Sequence, residues 1–221
     1  MSLNRGRFLT LEGGEGSGKS TQLRLLAEAL RAAGFDVVTT REPGGSPGAE
    51  IIREALLSGK GEPFGPDTEA VLFAAARVDH VDATIRPALA AGQWVLCDRF
   101  SDSTRVYQGA VGRVDGAFLR ALERIAAPGL VPDLTLVFDV PPQIGLERAA
   151  VRGKGMVTDR FEREGIDFHR AIREAFLTFA RAEPERCAVI DATGAPEEVS
   201  YAVRAAVSSR LGILFSGEAR A

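Results

Sequence analysis

The run Gly13-Gly14-Glu15-Gly16-Ser17-Gly18-Lys19-Ser20, directly after the apolar Phe8-Leu9-Thr10-Leu11, constrains this chain more than any other feature. It has the form G-x-x-x-x-G-K-[ST]. Glycines let the backbone curl so that several N–H groups point at one anion. Lys19 adds a point charge for the outer phosphates, and Ser20 offers an oxygen to Mg²⁺. From Lys19 to Ala33 the apolar spacing is helical, so the anion also meets a helix N-terminus with its partial positive charge. A strand, a glycine loop and a helix in this order predict a phosphate cradle from Gly13 to Thr21 in an α/β fold. An ordinary Gly-rich turn is the alternative, and it accounts for neither flank.

The rest of the chain extends that fold. Candidate strands are Arg7–Leu11, Asp36–Thr40, Trp94–Cys97, Leu134–Val140 and Cys187–Asp191. Between them the spacing predicts helices over Lys19–Ala33, Ala49–Leu57, Asp67–Ala90, Asp102–Gly109, Gly116–Ala126, Pro142–Ala150, Ile166–Arg181 and Glu197–Leu211. Apolar strands alternating with helices predict a five-stranded parallel sheet flanked by helices, as a single domain over residues 1–221. Arg41-Glu42, Asp98-Arg99, Asp139 and Asp191 lie at strand ends. In open α/β sheets ligands bind beyond the carboxyl ends of the strands, so these groups converge on the phosphate loop. The basic, Gly-containing segment at about 151–160 lies between two helices and reads as a mobile lid.

Composition narrows the partners. A net charge of −3 gives no reason to expect a nucleic-acid partner. No apolar run approaches the ~18 residues that span a bilayer. Cys97 and Cys187 sit in apolar strand-like stretches and read as buried free thiols in a reducing, cytoplasmic setting. The only Asn is Asn4, which excludes an Asn-Lys-x-Asp guanine reader. A kinase of a small acceptor needs instead a second phosphate site facing the first, a base pocket and positive charge for the transferring group. Two rivals stay open at this point, a kinase of another nucleoside monophosphate and an ATP-binding switch that transfers nothing.

Asp98 can serve Mg²⁺ through water, and Arg99 can grip an acceptor phosphate with two prongs. The same pair also reads as an ordinary surface couple; its place at a strand end favours function. Arg41-Glu42-Pro43-Gly44-Gly45 forms a tight loop, and on spacing alone it is equally a plain turn. Phe73 and Arg77 share a helix face and could stack on and hydrogen-bond a base, although a Phe on an Ala-rich helix reads first as core. Thr104, Tyr107 and Gln108, at i, i+3 and i+4, either line the same pocket or form a solvated face. Arg148, Arg152 and Arg160 bracket the expected lid, and lid arginines can stabilise a transferring phosphoryl group. His80 and His169 have no partners at metal-ligand spacing and receive no role.

In order and spacing these segments resemble thymidylate kinases. The likeness is carried by Phe8–Thr21, Arg41–Gly45, Phe73-Ala-Ala-Ala-Arg77, Asp98-Arg-Phe100, Ser103-Thr-Arg-Val-Tyr-Gln-Gly109, Pro132-Asp-Leu-Thr-Leu136 and Asp159-Arg-Phe-Glu162. The resemblance implies the P-loop nucleoside monophosphate kinase fold and Mg²⁺-dependent transfer from ATP to dTMP. It implies that Phe73 stacks on thymine, Arg77 bonds a ring carbonyl, Thr104 meets the ring edge, and Gln108 lines the acceptor pocket. Tyr107 would lie near the sugar and help select a 2′-deoxy substrate. Arg99 would hold the dTMP phosphate, with Arg41 nearby. Glu15 would contact the 3′-hydroxyl or a metal-bound water, and Ser20 and Asp98 would serve Mg²⁺. The phosphate loop carries no arginine, so this chain resembles the bacterial subgroup with lid arginines. Family members are homodimers that pack long helices such as Asp67–Ala90 against their mates.

Overall fold

A computed structural model describes residues 6–59, 62–152 and 161–215. The expected lid therefore falls largely outside the described residues, as do Asp159 and Arg160 and the side chains of Arg152 and Glu162.

Five parallel strands form one sheet: β1 (Phe8–Gly13), β2 (Val37–Arg41), β3 (Trp94–Asp98), β4 (Leu134–Asp139) and β5 (Cys187–Asp191). Their spatial order is β2-β3-β1-β4-β5. Thus β1 is central, pairing Phe8 with Val95 and Leu11 with Asp98 on one side, and Gly13 with Phe138 on the other. Leu9, Leu11, Leu96, Leu134 and Leu136 fill one sheet face beneath helices α1 (Lys19–Ala32) and α9 (Pro196–Leu211). Phe8, Val95 and Cys97 face the other way, against Val81, Ile85, Ala88 and Phe100. Each such fully buried Leu or Phe contributes about 1.5–3 kcal/mol relative to exposure. Burial on both faces is why the central strands read as unbroken apolar runs. Also packed around the sheet are α2 (Pro47–Leu57), α3 (Gly65–His80), α6 (Gly116–Ala126), α7 (Pro142–Arg152) and α8 (Ile166–Ala182).

Two predicted helices differ from expectation. Asp67–Ala90 is not one regular helix: α3 passes into a π-helical turn, Val81–Ile85, before α4 (Arg86–Ala90). The cause is Pro87, which lacks an N–H and crowds the preceding turn; the wider turn, with Arg86 N donating to Val81 O, accommodates it. Asp102–Gly109 is likewise a short α5 (Ser101–Thr104) followed by a π-helical segment, Arg105–Val111. There the Gly112 N–H bonds the Tyr107 carbonyl at 2.8 Å. Strand β1 also continues two residues past its expected end, so Gly13 belongs to the sheet edge.

Candidate active site

The loop between β1 and α1 turns through Gly16 (φ 64°) and Gly18 (φ 89°), conformations that suit glycine. Gly16 lies so close to the Gly145 carbonyl of α7 that a Cβ has no room, and a Cβ on Gly145 would strike the Glu15 carbonyl. Lys19 Nζ donates to the carbonyls of Gly13 (3.1 Å) and Gly14 (2.8 Å) and to Ser17 Oγ (3.2 Å). Burial, and next the charge of Arg99, push the Lys19 ammonium down to about 8, against the pull of Asp98 and Glu15. Ser20 Oγ donates to Asp98 Oδ2 at 2.7 Å, so two oxygen donors from β3 and α1 meet beside the loop. Oxygen donors in small number suit Mg²⁺, which keeps waters and binds phosphates besides. Among the described residues no cluster of three or more His, Cys, Asp or Glu forms a fuller metal cage.

A cavity of about 640 Å³ opens from this loop. Glu15, Gly16, Ser17, Gly18, Lys19, Ser20 and Thr21 line it, together with Asp98, Arg99, Arg41, Phe73, Arg77, Thr104, Tyr107 and Gln108. Residues from the ends of β1, β2 and β3 and from the helices between, from Glu15 to Gln108, thus share one concavity with the phosphate loop. Gly13 and Gly14 border a second, much smaller cavity beneath it, beside His169 and Arg173.

Arg99 is the centre of the charged part. Its guanidinium meets Glu15 Oε1 at 2.5 Å, the Gly13 carbonyl at 3.0 Å and Ser103 Oγ at 3.2 Å. The Tyr107 hydroxyl donates to the same Glu15 oxygen at 3.0 Å. Burial alone would push the Glu15 carboxyl up; Arg99, then Lys19 and the Tyr107 hydroxyl, outweigh it and hold Glu15 below its usual range. Burial opposes the Arg99 charge, and Glu15 more than restores it, so Arg99 is raised. Burial lifts the Tyr107 phenol well above its usual value, so it stays a donor.

Arg99 also has φ 70°, a conformation that costs a non-glycine residue about 1–3 kcal/mol. Glu12, wholly buried, holds this turn: it accepts the Phe100 N–H at 2.8 Å and the Ser103 hydroxyl at 2.6 Å. Burial first, then the charge of Asp102, push its carboxyl up to about 7.

Glu12 was not among the residues expected from the sequence, because an acid beside glycines reads as loop; its position in the alternation of β1 was the available signal. Arg53, Glu54 and Leu57 of α2 also line the cavity without having been expected. Their i, i+1, i+4 spacing behind the Pro-Gly-Gly loop is the only hint the sequence holds. Arg41 stands at the rim, paired with Glu50 at 2.9 Å. Arg148 binds the carbonyls of Ala192 (2.7 Å) and Thr193 (2.9 Å) beyond β5. Phe73 is half-buried and lines the cavity while packing against the buried cluster that includes Tyr107 and Phe161, so it serves both wall and core. His80, given no role from the sequence, is buried against Glu42, with Nδ1 3.0 Å from its carboxylate.

The thymidylate kinase family model matches residues 11–203. A thymidylate kinase of Rhodopseudomonas palustris (strain TIE-1) is 59% identical over 208 residues, covering 94% of this chain and 90% of that protein. One from Afipia carboxidovorans is 54% identical over 217 residues, covering 98% and 95%. Among solved structures, the thymidylate kinase of Ehrlichia chaffeensis superposes with a TM-score of 0.75 at 30% identity, over 92% of this chain and 99% of that one.

Proposed function

The chain belongs to the thymidylate kinase family, and on that premise we propose that it transfers the terminal phosphoryl group of ATP to dTMP, giving dTDP and ADP. One observation carries the reading: the phosphate loop around Lys19 and the wall formed by Phe73, Arg77, Thr104, Tyr107 and Gln108 line one continuous cavity, with Arg99 between them. An acceptor seated on that wall presents its phosphate to Arg99, facing the triphosphate on the loop.

The acceptor phosphate is already an oxyanion, so no strong base is needed, and the protein's task is positioning and neutralisation. Lys19 and the loop N–H groups hold the donor phosphates. Arg99 turns its guanidinium from the Glu15 carboxylate and the Gly13 carbonyl to the incoming phosphate. Glu15, kept ionised by Arg99 and Tyr107, is left to accept a hydrogen bond from the sugar. Tyr107 lies against that sugar and disfavours a 2′-hydroxyl. Phe73 stacks on the base, Arg77 and Thr104 meet its edge, and Gln108 completes the pocket. Arg41 extends the positive field at the rim, and Arg152 and Arg160 supply further charge for the transferring group. Ser20 and Asp98 would hold Mg²⁺, which would supply positive charge to the phosphate oxygens.

The remaining proposals have their own support. All elements of the site hang on one sheet, in keeping with a single domain. Ile51, Val71, Val78 and Phe118 are exposed on α2, α3 and α6, helices that pack side by side, and we read this apolar face as that of a homodimer. Two buried free cysteines accord with a cytoplasmic setting. Among the described residues no helix is long and apolar enough to cross a membrane.

A panel of nucleoside monophosphates with ADP release as readout tests the function. Release that depends on dTMP above the other acceptors, and that Lys19→Ala abolishes, is the expected result. Preference for another monophosphate, or ATP binding without transfer to any, would overturn it.

A further inference from the structure

We infer that His80, which lies behind the cavity wall, is a positioning residue that fixes Arg77 for reading the acceptor base; this role rests on the dTMP reading above. His80 is 0% exposed, and neither it nor Thr40 lines the cavity. Its Nδ1 is 3.0 Å from Glu42 Oε1, and its Nε2 is 2.6 Å from Thr40 Oγ1. A carboxylate only accepts, so the hydrogen sits on Nδ1, and in the neutral ring Nε2 accepts from the Thr40 hydroxyl.

The other Glu42 oxygen, Oε2, accepts from Nε of Arg77 at 2.8 Å and lies 2.8 Å from its Nη2. Arg77 Nη2 also donates to Thr104 Oγ1 at 3.1 Å, and the guanidinium lies 5.1 Å from the centre of the Phe100 ring. Arg77 is thereby held from three directions. Among the described residues its Nη1 has no hydrogen-bond partner, and Arg77 lines the cavity.

A guanidinium has donors and no acceptor. Held still, it donates to a carbonyl oxygen at the base edge and rejects an amino group there, which is the difference between thymine and cytosine at one ring position. Held loosely, it could move aside for either. What keeps it still is the Glu42 carboxylate, and what fixes that carboxylate is His80. Removing the imidazole leaves Glu42 Oε1 buried without its donor, a state that the carboxylate relieves by turning, taking Arg77 with it.

The loop Arg41–Gly45 closes this arrangement from above. Gly45 (φ 85°) sits where a Cβ would lie 2.5 Å from His80 Nε2 and would also strike Thr40 Oγ1. Its carbonyl accepts from Thr84 Oγ1 at 2.8 Å, from the π-helical turn that follows His80. Gly45 thus covers the Thr40–His80 hydrogen bond.

The test compares the full chain with His80→Phe, His80→Asn and Thr40→Val. Transfer to dTMP and to dCMP is measured, along with the KM for ATP, and folding of each variant is checked by circular dichroism. His80→Phe is expected to raise the dTMP KM and to lower the dTMP-over-dCMP ratio of kcat/KM, each by about tenfold, as for loss of a hydrogen bond to a charged group. The ATP KM should hold within about twofold, since uniform damage to the fold would not single out one substrate. Asn, whose amide donates from the place of Nδ1, should recover most of the ratio, and Thr40→Val should lower it less than Phe does. A folded His80→Phe chain with the parental ratio would overturn the inference, as would Asn performing no better than Phe. Should His80→Phe not fold, Thr40→Val decides: a lowered ratio supports the inference and a parental one overturns it. A parent chain that fails to phosphorylate dTMP would overturn the functional reading and this role together, whereas an active parent with insensitive variants overturns the role alone.

Discussion

Arg99 and Glu15 meet through a single oxygen, Nη2 to Oε1 at 2.5 Å, and the Tyr107 hydroxyl donates to that same oxygen. The two groups that the proposed reaction assigns to phosphate and sugar are therefore partners of one another before an acceptor arrives. The pair keeps the guanidinium charged and desolvated at the cavity wall, and on binding the fork exchanges Glu15 and the Gly13 carbonyl for the acceptor phosphate.

Arg99→Lys should therefore fail almost as fully as Arg99→Ala, because a lysine offers no planar fork. Both should lower kcat/KM for dTMP by on the order of 10²–10³-fold, in the range for loss of one preorganised donor to a developing charge. Steady-state ADP release gives the rate, and circular dichroism checks that the fold persists. Near-parental turnover in Arg99→Lys would remove this residue from the phosphate site.

Phe73→Ala should raise the dTMP KM by about tenfold or more, from the loss of base stacking worth roughly 1–3 kcal/mol, with the ATP KM little changed. The side chain also packs against the buried cluster around Tyr107, so thermal stability should fall as well. Phe73→Leu separates the two effects by restoring packing without a flat ring. Equal shifts in both KM values would assign Phe73 to the core alone.

Glu12 gives a pH dependence of definite sign. Its carboxyl is raised from 4.5 to about 7 in the folded chain, so between those values the folded state keeps a proton that the unfolded state has released. The stabilisation tied to that proton is fully present below pH 4.5 and is lost as pH rises through about 7. Glu12→Gln cannot lose it. Urea denaturation across this range should show the variant gaining on the parent as pH rises, with the difference levelling off above pH 7. Parallel stability curves would show that Glu12 does not titrate there.

Much of this architecture was legible because glycines and charges recur at strand ends. The phosphate loop and the five strands follow from local spacing, whereas spacing left the residues from Phe73 to Gln108 open and only the family resemblance assigned them to a pocket. The π-helical turns did not follow from spacing, because a one-residue widening leaves the apolar pattern nearly intact, and Pro87 alone marks the first. Glu12, Glu42 and His80 were harder still. Each of the three is a buried polar residue whose role is defined by a partner at least 35 positions away, such as Arg77 for Glu42 or Phe100 for Glu12. No window along the chain contains both members of such a pair. The 151–160 segment and its arginines lie largely outside the described residues, and sequence alone speaks for them.

The backbone of Gly16 rests directly on that of Gly145, with no side chain between them to take up a displacement by changing rotamer. Helix α7 runs on from Gly145 to Arg152, about 10 Å further along at 1.5 Å per residue. A displacement of the glycine loop toward α7 therefore meets helix backbone directly, with no side chain between. A single methyl group at either position acts as a wedge, forcing loop and helix apart, so a redesign of this protein must keep both glycines.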